Sequence, residues 1–322
     1  MHQSSTSSPA LRVQPTRSQP LLSPLRYPGG KRRLVPFIAE TLKLNGFHPL
    51  LFVEPFAGGA SVAFQLLSDG VVERIGLIDR DPLVAAFWNT VLSDAEWLVK
   101  QVETLEVTLA QWEAFKQTTP QSRRQKALTC LFLNRTSFSG IMAPGAGPIG
   151  GYDQASEYNI DCRFPRKTLI KRIQHIHALR DRVAFVWNIT WASGMSRIKG
   201  MQQRGTLPPD VFYYCDPPFF NEAHRLYTYY FRTRDHRNLR DALLAETAPW
   251  ILSYDSVDEV ERLYGEGCSP SHIDVLYSAG KYAGSRMAKE AVVTNLATLP
   301  SNFALWTRSN TPKNDPDVSR SA

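Results

Sequence analysis

Apolar residues in this chain fall into short unbroken runs, separated by longer stretches where they recur every three or four positions. Leu51-Phe52-Val53, Ile75 to Ile78 and Val211-Phe212-Tyr213-Tyr214-Cys215 are continuous runs bounded by polar or turn residues, the pattern of strands covered on both faces. The same reading predicts strands over 50–54, 74–79, 183–187, 211–215, 249–254, 272–277 and 290–297. Helical spacing runs through 32–44, 82–92, 193–204, 235–247 and 257–264, and through the long stretch 94–130. Val62, Ala63, Leu66 and Leu67 make a shorter helix that Gly70 ends. Strands alternating with helices predict a mainly parallel sheet with helices on both faces. No long helical pattern separates the last two strands, so a hairpin is expected to close the sheet.

Chemistry gathers at the predicted strand tips, where ligands bind in an open α/β sheet. The strand ending at Cys215 runs into Asp216-Pro217-Pro218-Phe219. Two prolines fix successive φ angles and remove two donors, leaving their carbonyls free to accept. Asp216 and the Pro217 carbonyl can therefore both accept from one planar amino group, with Phe219 stacked beside it, an arrangement that suits the exocyclic amine of a nucleobase. The strand 50–54 leads into Glu54-Pro55-Phe56-Ala57-Gly58-Gly59-Ala60-Ser61, a tight turn in which Gly58 and Gly59 let the backbone approach a ligand. The run 75–78 ends at Asp79, a carboxylate placed to hold a ribose diol. Tyr27-Pro28-Gly29-Gly30-Lys31 sets an aromatic ring and a cation beside another glycine turn. It is no phosphate-binding loop, because Arg32 stands where Ser or Thr is needed and Leu25 where the first glycine is needed. Cys215 reads as a small buried hydrophobe.

Composition narrows the class. The chain has 322 residues, 43% hydrophobic and 11% aromatic, enough for a sizeable core. No apolar run reaches the length of a membrane span, and the start carries no charged-then-apolar signal pattern. Residues 1–23 and 308–322 read as flexible tails. Cys130, Cys162, Cys215 and Cys268 lie far apart without metal-ligand spacing, so a reduced, cytoplasmic protein without structural metal is expected. Residues 121–182 hold eleven Lys or Arg against four acids, an excess equal to the whole chain's net charge of +7. That segment also interleaves aromatic and amide side chains, the footprint of nucleic-acid contact as well as of a solvated basic surface.

Taken in chain order, Tyr27-Pro28-Gly29-Gly30-Lys31, then Phe52 to Gly59, then Ile78-Asp79, then Asp216-Pro217-Pro218-Phe219, the four motifs resemble the Dam-type (class I, alpha-group) DNA adenine methyltransferases over about Leu25 to Leu299. The resemblance implies a Rossmann-like α/β sheet dependent on S-adenosylmethionine, formed by 24–100 and 183–307. A mainly helical target-recognition domain would be inserted at 101–182. It implies methyl transfer to the exocyclic amine of an adenine flipped out of duplex DNA, with Asp216, Pro217, Pro218 and Phe219 as the catalytic tetrapeptide. Cofactor contacts would come from Tyr27, Gly29, Gly30, Lys31, Glu54, Pro55, Phe56, Gly58, Gly59, Asp79 and Asp216. In particular, Lys31 would pair with the cofactor carboxylate, Asp79 with the diol, and Glu54 and Asp216 with the ammonium; Tyr227, Tyr229 and Tyr230 would close the far side.

Leu133-Asn134-Arg135-Thr136-Ser137-Phe138-Ser139-Gly140 is similar to the family's Asn-Arg turn, and Tyr158-Asn159-Ile160-Asp161-Cys162-Arg163-Phe164 to a later recognition element. Asn134, Arg135, Tyr158, Asn159 and Arg163 are thus expected at the DNA, Arg135 and Arg163 as base readers, with Lys171 and Arg172 on phosphates. Residues 141–151, with four glycines and two prolines, read as a mobile hairpin between the two elements. The expected partner is double-stranded DNA, with no membrane and no obligate protein partner; a cognate restriction endonuclease is compatible with the resemblance. One departure stands out: after strand 183–187 the family carries an acid for the cofactor's adenine, and here the stretch is Asn188-Ile189-Thr190-Trp191. The alternatives are a DNA-binding relative without activity, or a methyltransferase for another amine on cytosine, RNA or protein.

Overall fold

The computed structural model describes residues 22–27, 30–220, 228–265, 268, 270–278 and 285–300. The tails expected at 1–23 and 308–322 lie almost wholly outside these residues, as do Gly29 and Tyr227. Among the described residues seven strands form one sheet: β1 Leu51–Glu54, β2 Ile75–Ile78, β3 Val183–Trp187, β4 Val211–Cys215, β5 Trp250–Asp255, β6 Ser271–Ser278 and β7 Ser285–Thr294. Their order is β3-β2-β1-β4-β5-β7-β6. The first five run parallel, and β7 lies antiparallel between β5 and β6. From β1 the chain builds outward through β2 and β3, then returns to β4 on the other side, so the sheet changes direction between β1 and β4. That crevice is where an α/β sheet takes its ligand.

Side chains alternate across the sheet with the two-residue period of a strand. Phe52, Phe212, Tyr214, Ile251 and Val292 face one core, while Leu51, Val53, Tyr213, Cys215, Leu252 and Val293 face the other. The second core is closed by α8 Trp191–Gln203, α9 Thr233–Leu244 and α10 Asp258–Tyr264, counted after the seven helices that follow. The first core is covered by α1 Val35–Leu44, α2 Ser61–Ser68 and α3 Pro82–Ser93, and continues without a break into α4 Ala95–Thr104, α5 Leu109–Gln117, α6 Arg123–Thr136 and α7 Arg166–Ala178. Leu98, Val102, Trp112, Phe132, Leu169 and Ile173 thus bury against the same core as Phe87 and Trp88.

The stretch 94–130 divides into three helices. Thr108 caps α5, and Ser122 forms a reciprocal capping box with Gln125 that starts α6. Helix α6 then continues to Thr136, so Asn134 and Arg135 lie on its last turn and not in a free turn. The last strand begins five residues earlier than its apolar run, because Ser285 to Lys289 pair in full register with Asp274 to Ser278. Arg182 braces the return to the sheet by donating to the Glu73, Leu67 and Val72 carbonyls at 2.9, 3.0 and 2.7 Å. Arg166 donates to the Val102 and Leu105 carbonyls, each at 2.5 Å, and so completes the end of α4. Two basic residues of the segment 121–182 therefore bond backbone carbonyls elsewhere in the chain. Among the described residues no helix is long and apolar enough to cross a membrane.

Candidate active site

Carboxylates stand at the neighbouring strand tips of β2, β1 and β4, and Asp255 ends β5 beside them. Glu54 ends β1 and is 4% exposed. Its Oε1 accepts the Ala63 amide at 2.8 Å. Ala63 is in the first turn of α2, whose N-cap is Ala60 with no side-chain acceptor, so Glu54 supplies the cap from the strand. Burial pushes its carboxyl well above the usual range, and nearby Asp216 adds to the rise. Asp79 follows β2; its Oδ2 accepts from the Gly58 amide and its Oδ1 from the Asp81 amide, both at 2.8 Å. Burial, then the neighbouring Asp81, lifts it to about 7. Asp81, which the motif reading did not single out, caps α3 through Leu83 and is itself 7% exposed.

The glycine turn between β1 and α2 has a packing reason as well as a conformational one. Gly58 has φ +44°, and a Cβ there would lie 2.9 Å from the Tyr27 ring. Tyr27 therefore rests on the turn, while Trp88 Nε1 donates to the Gly58 carbonyl at 2.9 Å from the core side. Ala60, with φ +44°, takes a left-handed conformation that costs a non-glycine residue about 1–2 kcal/mol.

Asp216 follows β4 with 26% of its side chain exposed. Ser253 Oγ donates to its Oδ1 at 3.2 Å, and Ser253 is reached by the Tyr214 hydroxyl at 2.8 Å. The serine has one proton and gives it to Asp216, so the tyrosine must be the donor in the second bond. Burial raises Asp216 to about 6, with Lys31 opposing that rise and Glu290 adding to it. Lys31 is buried, its Nζ 3.6 Å from Asp216 Oδ1, 3.0 Å from Glu290 Oε2 and 4.9 Å from the Phe219 ring centroid. This placement differs from the expected pairing of Lys31 with a cofactor carboxylate. Cys215 is fully buried and its thiol is pushed up by that burial, which leaves it no nucleophilic role.

These groups open onto one cleft of about 300 Å³, the size of a small-molecule site. Tyr27, Gly30, Lys31, Glu54, Pro55, Phe56, Gly58, Gly59, Asp79, Asp216 and Pro218 line it, together with Thr190, Trp191, Tyr229, Tyr230 and Phe231. Phe56 touches Trp191 and Phe231, with ring centroids 6.5 and 5.6 Å apart. Pro217 and Phe219 are not part of the lining, although they join residues that are. The profile of the D12 class N6 adenine-specific DNA methyltransferases matches residues 27–278.

The chain belongs to this family. Its members methylate adenine in DNA at N6, with S-adenosylmethionine as methyl donor. A search of curated proteins returns no match. Among solved structures, a precorrin-6y C5,15-methyltransferase from Geobacter metallireducens GS-15 is 12% identical over 80% of this chain and 84% of that one. Its TM-score of 0.34 is too low to bear on the assignment.

For a D12 methyltransferase the residues of the cleft fit the methyl donor. A glycine turn without side chains, a carboxylate tied to that turn, and apolar ring walls meet a polar, partly aromatic ligand. Where the family has an acid, Asn188 donates to the Asp79 and Arg80 carbonyls at 3.0 Å each and so locks the tip of β2. Thr190 lines the cleft but its hydroxyl caps α8 at Ser193.

The enzyme's expected DNA-binding residues divide by burial. Asn134 is fully buried: its Oδ1 accepts the Arg26 amide at 2.6 Å, and its Nδ2 donates to the Gly140 and Arg26 carbonyls at 2.9 and 3.2 Å. An amide engaged on both sides holds two segments together and has no edge to offer a base. Arg135 is 4% exposed, and its Nε has no partner among the described residues. Burial, then the cations of Arg26, Arg172 and Arg163, pushes it down to about 9. Tyr158, Asn159, Arg163 and Lys171 are exposed, and Arg163 lies over the Tyr158 ring at 5.9 Å. Arg172 is half-buried, bonded to the Ser23 carbonyl at 3.2 Å. The segment 141–151 is pinned by Phe138 to Gly147, Ile149 to Thr136 and Lys116 Nζ to Ala143; the hairpin expected to be mobile is anchored on both sides.

Proposed function

We propose that this D12 methyltransferase binds its cofactor along the tips of β2 and β1 and its target adenine at the tip of β4. In this reading Asp79 accepts from the ribose diol, Glu54 lies toward the ammonium, and the Gly58-Gly59 turn with Tyr27 covers the middle. The bound cofactor supplies an electrophilic methyl group on a sulfonium. Asp216 Oδ2 and the Pro217 carbonyl accept the two hydrogens of the adenine amine, so its nitrogen becomes more pyramidal and its lone pair more localised. Alignment and charge stabilisation then lower the barrier without prior removal of a proton. The proton that the amine loses after transfer leaves along its bond to Asp216 Oδ2.

An adenine within a duplex cannot enter this cleft, so it must leave the stack. Tyr229 and Tyr230, exposed by 37% and 41%, stand where the extruded base would enter. Helices α4 to α7 serve as the recognition unit, with the face of Tyr158, Asn159, Arg163, Lys171 and Arg172 against DNA. The carrying observation is the state of Asp216. Its donors among the described residues, Ser253 and Lys31, both address Oδ1, which leaves Oδ2 for an amine.

The test is methylation of a duplex library with labelled cofactor, by the wild type and by Asp216→Asn and Arg163→Ala. The reading expects transfer slowed by about 10²- to 10³-fold from the first and relaxed site choice from the second. Transfer by Asp216→Asn at the wild-type rate would remove Asp216 from the mechanism. Loss by one common factor on every duplex would make Arg163 a phosphate contact and not a reader of bases.

A further inference from the structure

Glu290 is absent from the motifs of this chain, yet it makes the shorter of the two ion pairs at the centre of the site. It lies on β7, where it pairs with Asp255 of β5 and Ile273 of β6, and it is 4% exposed. Its Oε2 is 3.0 Å from Lys31 Nζ, against 3.6 Å from Lys31 to Asp216. The result is a buried row of charges, carboxylate, ammonium, carboxylate, and the Asp255 carboxylate at the end of β5 feels both Lys31 and Glu290 as well, so the cluster is net negative when its groups are ionised.

Two physical consequences follow from that row. Without the Glu290 carboxylate the ammonium would be drawn further toward Asp216, since attraction grows as distance falls. It carries three donors, so it could address both oxygens of Asp216 and compete with the substrate amine. A second carboxylate at shorter range draws the ammonium the other way. The remaining net negative charge also favours the positive charge that builds on the amine nitrogen as its new bond to carbon forms.

We propose that Glu290 is a positioning residue for methyl transfer, holding the Lys31 ammonium so that Asp216 keeps an open acceptor oxygen for the adenine amine. The inference rests on the reading of Asp216 as the amine acceptor.

The test compares Glu290→Gln, Glu290→Asp and the double variant Lys31→Met/Glu290→Gln with wild type, by kcat, KM for duplex DNA and the pH profile of kcat. Glu290→Gln is expected to lower kcat at its pH plateau by about 10- to 100-fold, as for the loss of one organised electrostatic contact, with KM for DNA within about twofold. The acidic limb is expected to move to lower pH, because removal of a neighbouring negative charge favours the ionised form of Asp216. Glu290→Asp keeps the charge but shortens the reach, so kcat should fall by a few-fold, and this variant decides if the glutamine variant does not fold. In the double variant the competing ammonium is also gone, and kcat should recover at least about fivefold over Glu290→Gln.

A lower melting temperature with unchanged kcat and an unmoved acidic limb would make Glu290 a structural tether and overturn the inference. The same holds if the double variant is slower than Glu290→Gln. An Asp216→Asn variant as fast as wild type would instead remove the reading on which the inference rests. A slowed Asp216→Asn beside an unaffected Glu290→Gln would sink this inference alone.

Discussion

Asp79 and Glu54, at the tips of β2 and β1, each accept a backbone amide at 2.8 Å, whereas Arg135, at the end of α6, is as deeply buried as Glu54 and faces Arg26, Arg163 and Arg172. Both regions remove charge from water, which is unfavourable unless that charge is paired or hydrogen-bonded. At the sheet the compensation is internal: the Gly58 and Ala63 amides, Ser253 on β5 and Lys31 are held within the same fold as the acids. At the inserted helices the cations repel one another, and no acid among the described residues pairs with Arg135. Such a surface has its compensation outside the chain, and a row of phosphates is the proposed source. The comparison teaches that the cleft is organised before any ligand arrives, while the basic face is completed by its partner.

The largest effect that tests this contrast is on the acidic side. Asp216→Asn keeps shape and loses the charge, and kcat should fall by about 10²- to 10³-fold. Binding to duplex DNA should stay within about twofold, as measured by fluorescence anisotropy. A parallel loss of binding would show that the two regions are not separable.

On the basic side, Arg135→Met should have two opposite effects. Duplex affinity at low salt should fall by a few-fold, because the buried Arg135 adds its charge to the field of the Arg163 and Arg172 face without a contact of its own. Stability of the free protein should rise by about 1–2 kcal/mol, because a buried, unpaired charge gives way to an apolar side chain. Calorimetric melting without DNA checks the second effect; a lower melting point would mean that Arg135 is compensated within the chain.

Cofactor binding should depend on pH through Asp79. Its carboxyl is raised to about 7, so it is ionised above that pH and becomes protonated below it. Affinity should therefore drop by about tenfold from pH 8 to pH 6, following the ionised fraction, and Asp79→Asn should remove the dependence. Titration calorimetry at the two pH values is the measurement. The smallest effect is at the turn: Ala60→Gly relieves the left-handed strain and should stabilise the fold by up to about 1 kcal/mol, seen as a higher denaturant midpoint with unchanged activity.

Much of this was legible in the sequence because it is local. The apolar runs marked each strand to within a few residues, and Asp216, Glu54 and Asp79 could be found because a carboxylate directly follows or ends such a run. What escaped depends on contacts distant in sequence. Glu290 meets Lys31 across 259 residues, and nothing in Lys289-Glu290-Ala291 distinguishes a buried acid from an exposed one. Asn134 has the residue type of a base reader, but its partner, Arg26, lies 108 residues away and takes its amide. The start of β7 was missed because Ser285 to Lys289 lack an apolar run, and their pairing is set by β6 alone. Residue type and spacing thus located the chemistry, while burial and partners decided which polar groups are structural.

The three acidic tips also form a gauge. Adjacent strands lie about 4.8 Å apart, so Asp79, Glu54 and Asp216, on β2, β1 and β4, mark off a row of about 10 Å in two equal steps. Hydrogen bonds between strands fix that spacing, and it cannot be tuned by side-chain substitution. On the binding mode proposed above, a change in the group methylated would arise at the β4 end, in the residues beside Asp216, while the β2 end would keep its grip on a donor of constant length. In such a sheet, donor recognition is inherited with the backbone, and acceptor choice is left to the loops.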